Sequence, residues 1–187
     1  MDNEITVLVT SDFETLEKKL KDYKFKVTDE FEINDIYMIG NSVDLSKLAN
    51  LDILQRCILI REIPGIKKAL LYKKKKYAPN GDILEQSKVE CPVDDIKKAK
   101  AFMEAINYKT LFDAYAKCIA YSNDVSELLV QIVNNEYILI EHECDDQNNT
   151  SIDDVKADLF QYDLPIDKSN CFVKKAEIEL RKVLHRE

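Results

Sequence analysis

The chain has 187 residues, 45% hydrophobic and 33% charged, with a formal net charge of −8. That profile is one soluble globular domain with room for a sizeable core, and its charge argues against a general binder of nucleic acid or anionic membrane. No apolar run approaches the roughly 20 residues of a membrane span, and an acidic, polar N-terminus does not suggest a secretory leader.

The chain opens with a strand-like run, "EITVLV", followed by a helix in which Ser11 and Glu14 match a capping box and Phe13, Leu16, Leu20 and Tyr23 recur at helical spacing. "KFKVTDEFEINDIYMIG" reads as extended structure ending at Gly40, and "SVDLSKLANLD" as a polar connection with a short helical turn. Three β-rich runs follow, 55–62, 66–77 and 83–91, separated by turn chemistry at Ile63-Pro64-Gly65 and Pro79-Asn80-Gly81. This is an antiparallel meander. Asp94 or Asp95 caps a second helix with Ile96, Ala99, Phe102, Met103 and Ile106 on one face.

Strands at 111–121, 125–133 and 136–143 come next, with Asn134-Asn135 as a two-residue hairpin turn. "CDDQNNTS" is a loop. Ser151 caps a third helix ending near Tyr162, and Pro165 separates it from a C-terminal helix over about 169–185, packed through Phe172, Ala176, Leu180 and Val183. Its alternating charge suits an exposed helix or a contact in a homodimer. Residues 1–187 therefore read as a single α+β domain of antiparallel strands with flanking helices, and strands in such number tend to curl and close, which removes the sheet's edges.

Cys57, Cys91, Cys118, Cys144 and Cys171 lie far apart with no CxxC pair, and with only His142 and His185 besides there is no zinc spacing. Buried apolar thiols in a reducing cytoplasm are expected. His142 reads as a strand surface residue rather than a base, and three glycines form no phosphate loop.

The strands carry charge that does not suit a dry core. Arg61, Lys73 to Lys76, Lys88 with Glu90, Lys117, and Glu141 with Glu143 all fall within β-rich runs. A solvated outer face accounts for any one of them. Together they place cations on the middle strands and carboxylates on the first and last, a set that a closed sheet would gather round one interior.

These pieces resemble the CYTH superfamily, the triphosphate tunnel metalloenzymes, which include class IV adenylyl cyclases, thiamine triphosphatases and inorganic triphosphatases. The family's ExExK strand falls on Glu4 to Leu8, and "NDIYMI", "ILIRE", "ALLYKKK", "QSKVECPVDD", "AYAKCIAY" and "YILIEHE" are similar to later strands in the same order. The resemblance implies an eight-stranded antiparallel β-barrel, a tunnel holding a triphosphate or nucleotide with Mg2+ or Mn2+. It implies that Arg61, Lys73, Lys88 and Lys117 contact the anion, and that Glu4, Glu90, Glu141 and Glu143 lie on the metal side. The late pair is left open in register, with Leu139 and Glu141 as the other choice.

The departures are specific: the second glutamate of ExExK is Thr6 and its lysine is Leu8, while Leu59 and Ile119 replace basic residues of R-x-R and K-x-R. Phosphoryl transfer depends on a positioned metal and on cations that neutralise developing charge. Three readings remain: a metal-dependent triphosphatase or ATP cyclase, an inactive anion binder of the same fold, and a protein-interaction module.

Overall fold

The computed structural model describes residues 4–77, 83–143 and 151–186. Eight strands lie in one antiparallel sheet: β1 (Glu4–Leu8), β2 (Lys26–Gly40), β3 (Ile58–Ile63), β4 (Lys67–Tyr77), β5 (Ile83–Pro92), β6 (Tyr108–Ser122), β7 (Glu127–Val133) and β8 (Tyr137–Glu143). Their order is β1-β8-β7-β6-β2-β3-β4-β5, so hydrogen bonds among the described residues do not join the end strands β1 and β5. Among the described residues five α-helices complete the α+β fold: α1 (Phe13–Asp22), α2 (Asn50–Leu54), α3 (Ile96–Ala105), α4 (Ile152–Phe160) and α5 (Lys175–Leu184). No helix among the described residues is long and apolar enough to cross a membrane.

The chain divides into two compact units, Met1–Phe31 with Ala116–Val173, and Glu32–Tyr115 with Lys174–Glu187. In the first, alternation sends Ile5, Val7, Val130 and Ile140 to one sheet face, where they pack on Leu16 and Leu20 of α1 and Val155 and Leu159 of α4. Asp12, not Ser11, caps α1: its side chain accepts the Thr15 N–H at 2.8 Å, while the Ser11 hydroxyl donates to the Asp12 carbonyl. Ser151 forms the expected cap of α4, with Asp154 completing a capping box. Asn134 and Asn135 both have positive φ, 49° and 57°, as a type I′ turn between β7 and β8 requires.

The C-terminal helix begins later than its sequence suggests. Residues 165–173 run along the open edge of β1 instead. Thr6 N–H donates to the Cys171 carbonyl at 2.9 Å, Val173 N–H to Thr6 at 3.0 Å, and Asp167 N–H to Leu8 at 2.8 Å. Backbone pairing outweighs helix propensity there because an uncovered edge strand leaves its donors and acceptors unmet.

In the second unit the meander forms as expected, with Gly65 at φ +74° closing β3 onto β4. Residues 55–57 form the turn after α2, so β3 begins at Ile58. The turn at Pro79-Asn80-Gly81, the loop at 144–150 and Cys144 lie outside the described residues. Asp95 caps α3 by accepting the Lys98 N–H at 3.0 Å. Ala99 and Met103 of α3 pack on Met38 and Ile60, while Phe102 and Ile106 remain exposed. Around Ile39, α2 and α5 meet through Ile53 and Leu180, with Tyr37 stacked on Phe112 at 4.4 Å between ring centroids. Cys57, Cys118 and Cys171 are buried thiols; Cys91 is exposed. Burial raises the Cys57 thiol to about 12.

Candidate functional site

The second unit gathers four of the expected site residues on one sheet face. Residues paired across adjacent strands point to the same side. Arg61 faces Asp35 on β2 and Ala69 on β4; Leu59 faces Leu71, which faces Glu90; Lys73 faces Lys88. Arg61, Lys73, Lys88 and Glu90 therefore share a side, opposite the one α3 covers. A row of buried hydrocarbon, Leu59 and Leu71, separates Arg61 from the lysines.

Two charge arrangements occupy that face. Val93 N–H donates to the Lys68 carbonyl, which fixes the phase of the β4–β5 ladder and makes Lys73 and Lys88 a non-hydrogen-bonded pair, the closer kind. Like charges so placed repel. Glu90 lies beside them, paired with Lys67 and, at 3.4 Å, with Lys88. The hydrogen bond from Lys67 is the main reason its carboxyl is held below the ordinary value.

The other arrangement was missed from sequence. Asp35 is 1% exposed and takes a two-point bond from Arg61, Nε to Oδ1 at 2.7 Å and Nη2 to Oδ2 at 2.8 Å. Lys175, at the start of α5, adds a third contact at 3.2 Å. Burial pushes the Asp35 carboxyl up, but the Arg61 hydrogen bonds and the Lys175 charge outweigh it, and the net shift is downward. "NDIYMI" signalled Asp35 as a strand aspartate; nothing in the tail signalled that Lys175 would reach it.

The first unit holds the remaining four. Glu4 faces Glu143 across β1 and β8, and Glu141 faces Thr6, so these side chains share a face with Leu8. Glu141 accepts from Gln131 Nε2 at 2.7 Å. Lys117 faces Ile132 and lies two residues from Ile119, which is buried in the helix-covered core, so both point to the opposite face from Glu141. Lys117 pairs there with Glu30 at 3.3 Å. Leu8 and Ile119, two of the departures from the family motifs, lie on different faces of the sheet.

Glu4, Glu141 and Glu143 share one face of β1 and β8, and Glu90 belongs to the other unit. Among the described residues no three acidic, histidine or cysteine side chains are grouped to hold an ion. Glu90 is engaged by ammonium groups, and Glu141 by an amide.

His142 is buried at 2% exposure rather than on the strand surface. Its Nδ1 donates to the Glu127 carbonyl at 2.7 Å and its Nε2 lies 2.8 Å from Asp158 on α4. Ser126 donates to the same carboxylate oxygen at 2.7 Å and meets the Tyr162 hydroxyl at 2.8 Å. Serine and histidine both end on the aspartate, so the histidine does not bridge the other two as a nucleophile-activating base must. The groove beside this network, about 560 Å³, is lined by Glu127, Glu141, Glu143, Asp154 and Asp158 and repels anions.

No family model matches the chain, and no characterised protein matches it by sequence. Solved structures do. The PH1012 protein from Pyrococcus horikoshii is 17% identical, with 95% of this chain and 99% of that one covered and a TM-score of 0.64. HpAC1 from Hippeastrum, an adenylyl cyclase candidate with a dominant triphosphatase activity, is 15% identical, with 97% and 96% covered and a TM-score of 0.64. A chain of the Schizosaccharomyces pombe Mediator head module is 7% identical, with 86% and 92% covered and a TM-score of 0.54. At these identities the likeness is one of fold.

Proposed function

We propose that this chain, which has the fold of CYTH-type proteins, binds a small polyanion such as a triphosphate or a nucleotide on the face shared by Lys67, Lys73, Lys88 and Arg61. The observation that carries this reading is the direct opposition of Lys73 and Lys88. Two lysines at directly opposite ladder positions bring two positive charges to one place on this face, where a polyanion can engage both. Lys67 lies within reach on the same strand face, and Arg61 is braced by Asp35 so that its fork cannot wander. A linear polyphosphate, with charge spread over several oxygens, suits cations set along one face.

Binding without turnover is favoured over hydrolysis. Phosphoryl transfer asks for a metal set against the phosphates, whereas Glu90 is engaged by Lys67 and Lys88 and, among the described residues, no three metal-ligating side chains are grouped. The enzymatic reading draws support from HpAC1, whose structure accompanies a triphosphatase activity.

Calorimetry with tripolyphosphate and with ATP tests the reading. The expected result is binding that weakens as salt rises and falls about tenfold or more in Lys73→Ala with Lys88→Ala, the loss of a charge-assisted hydrogen bond. No heat with either anion overturns it. Steady phosphate release on adding Mg2+ or Mn2+ replaces it with the enzymatic reading.

A further inference from the structure

The free edge of β5 carries a sequence that is complementary to itself. β5 ends the sheet order, and among the described residues no strand pairs on its far side. Because Val93 N–H turns towards Lys68, the odd-numbered backbone groups of β5 face β4. Those of Gln86, Lys88, Glu90 and Pro92 turn outwards. Pro92 fits that phase: the ring replaces an N–H on the open side, so no bond to β4 is lost. Val89 is 67% exposed, with Tyr72 opposite it, 42% exposed, on the same face.

We propose that this edge is the contact between two copies of the chain, β5 lying antiparallel to β5 of the second copy with Val89 on the two-fold axis. In that register Lys88 stands opposite Glu90 of the other copy, and Glu90 opposite its Lys88. Each of these two pairs is a hydrogen-bonded pair, exchanging both backbone N–H···O bonds, and each joins opposite charges side by side. Val89 meets Val89 as a non-hydrogen-bonded pair. Gln86 donates to Pro92 of the second copy and receives nothing back, so the ladder stops there. Such an isologous arrangement closes on itself at two subunits. A shift of the axis by one residue sets Lys88 against Lys88 on one side or Glu90 against Glu90 on the other, like charges in either case. The same lysine that discourages indiscriminate edge pairing selects one register.

The occupant is a second copy rather than a foreign strand because the charge order Lys-Val-Glu reads as its own complement when reversed. This contact does not depend on the anion-binding reading, and its test reads oligomeric state alone.

Sedimentation velocity over a range of concentrations is expected to show a dimer. Lys88→Glu should return it to monomer by placing glutamates opposite each other, and Lys88→Glu with Glu90→Lys should restore it. Val89→Cys in a Cys91→Ser background should form an inter-chain disulfide under mild oxidation, with Cys91→Ser alone as control, since facing residues of a non-hydrogen-bonded pair lie at bridgeable separation. Both exposed positions tolerate the change without threatening the fold. A monomer at every concentration overturns the proposal. So does a dimer that is indifferent to Lys88→Glu and is not cross-linked through position 89, which would place the contact elsewhere.

Discussion

Arg61 lies flat against the carboxylate of Asp35, two parallel hydrogen bonds of 2.7 and 2.8 Å joining neighbouring strands, with Lys175 closing the third side. The aspartate is almost wholly removed from solvent. Its charge is tolerable only because both cations are there, and they in turn are fixed by it.

Asp35→Asn keeps the shape and removes the charge. Two cations are then left half-buried without their counter-ion, and the expected cost is about 3–5 kcal/mol, read from the shift in urea midpoint at neutral pH. The pH dependence has a definite sign. The folded carboxyl is held below its ordinary value, so its stabilisation is complete above the unfolded value of about 4 and is lost as pH falls through the depressed one. Wild type and Asp35→Asn should therefore converge in stability as the solution is acidified below about pH 4. Curves that stay parallel down to acid pH argue that the pair contributes nothing through charge.

Glu90 is expected to act against ligand binding. It draws on both Lys67 and Lys88, so Glu90→Gln frees two ammonium groups for an anion. Tripolyphosphate should bind more tightly by a few-fold, with a steeper dependence on salt. Weaker binding in this variant would mean that the carboxylate positions the lysines rather than competing for them.

His142 fastens β8 to both β7 and α4. His142→Leu leaves the Glu127 carbonyl without its side-chain donor and Asp158 Oδ2 with Ser126 alone, and a buried group so stranded costs about 1–3 kcal/mol. Chemical denaturation of this variant is the check. A loss smaller than Leu164→Ala produces in the same unit would show that the network is dispensable.

Asn135 sits at φ 57° in the β7–β8 turn. A β-branched residue there is strained by roughly 1–2 kcal/mol, so Asn135→Val should lower thermal stability while Asn135→Gly should not. Equal melting temperatures would mean the turn can adopt another form.

Much of the architecture was legible because periodicity and turn chemistry are local. The Asn134-Asn135 pair, Gly65, and the Asp95 and Ser151 caps each declare themselves within a few residues. So did the antiparallel meander. What escaped was decided at long range. The stretch 165–173 could have continued a helix, but β1 needed covering. Ser11 and Asp12 were both competent caps, and the aspartate took the bond. His142 looked superficial because it alternates with glutamates, yet its phase is that of Ile138 and Ile140, which face the core. Charge on a strand does not say which side is the useful one: Lys117 belonged to the expected cation set by order alone, and its strand register turns it away from Glu141. Asp35 lay in plain view, but only the neighbouring strand revealed that Arg61 was spoken for.

The pairing of β1 has a consequence for the way the polypeptide is made. It is translated before the segments it pairs with, β8 on one side and the stretch from Pro165 to Val173 on the other. Both lie far downstream in the sequence. β1 therefore waits for its partners, and its unit completes through contacts between distant parts of the sequence, which slows folding. A ribosome halted before Pro165 would release a product whose opening strand keeps one side bare, a sticky fragment marked out for chaperones or proteolysis.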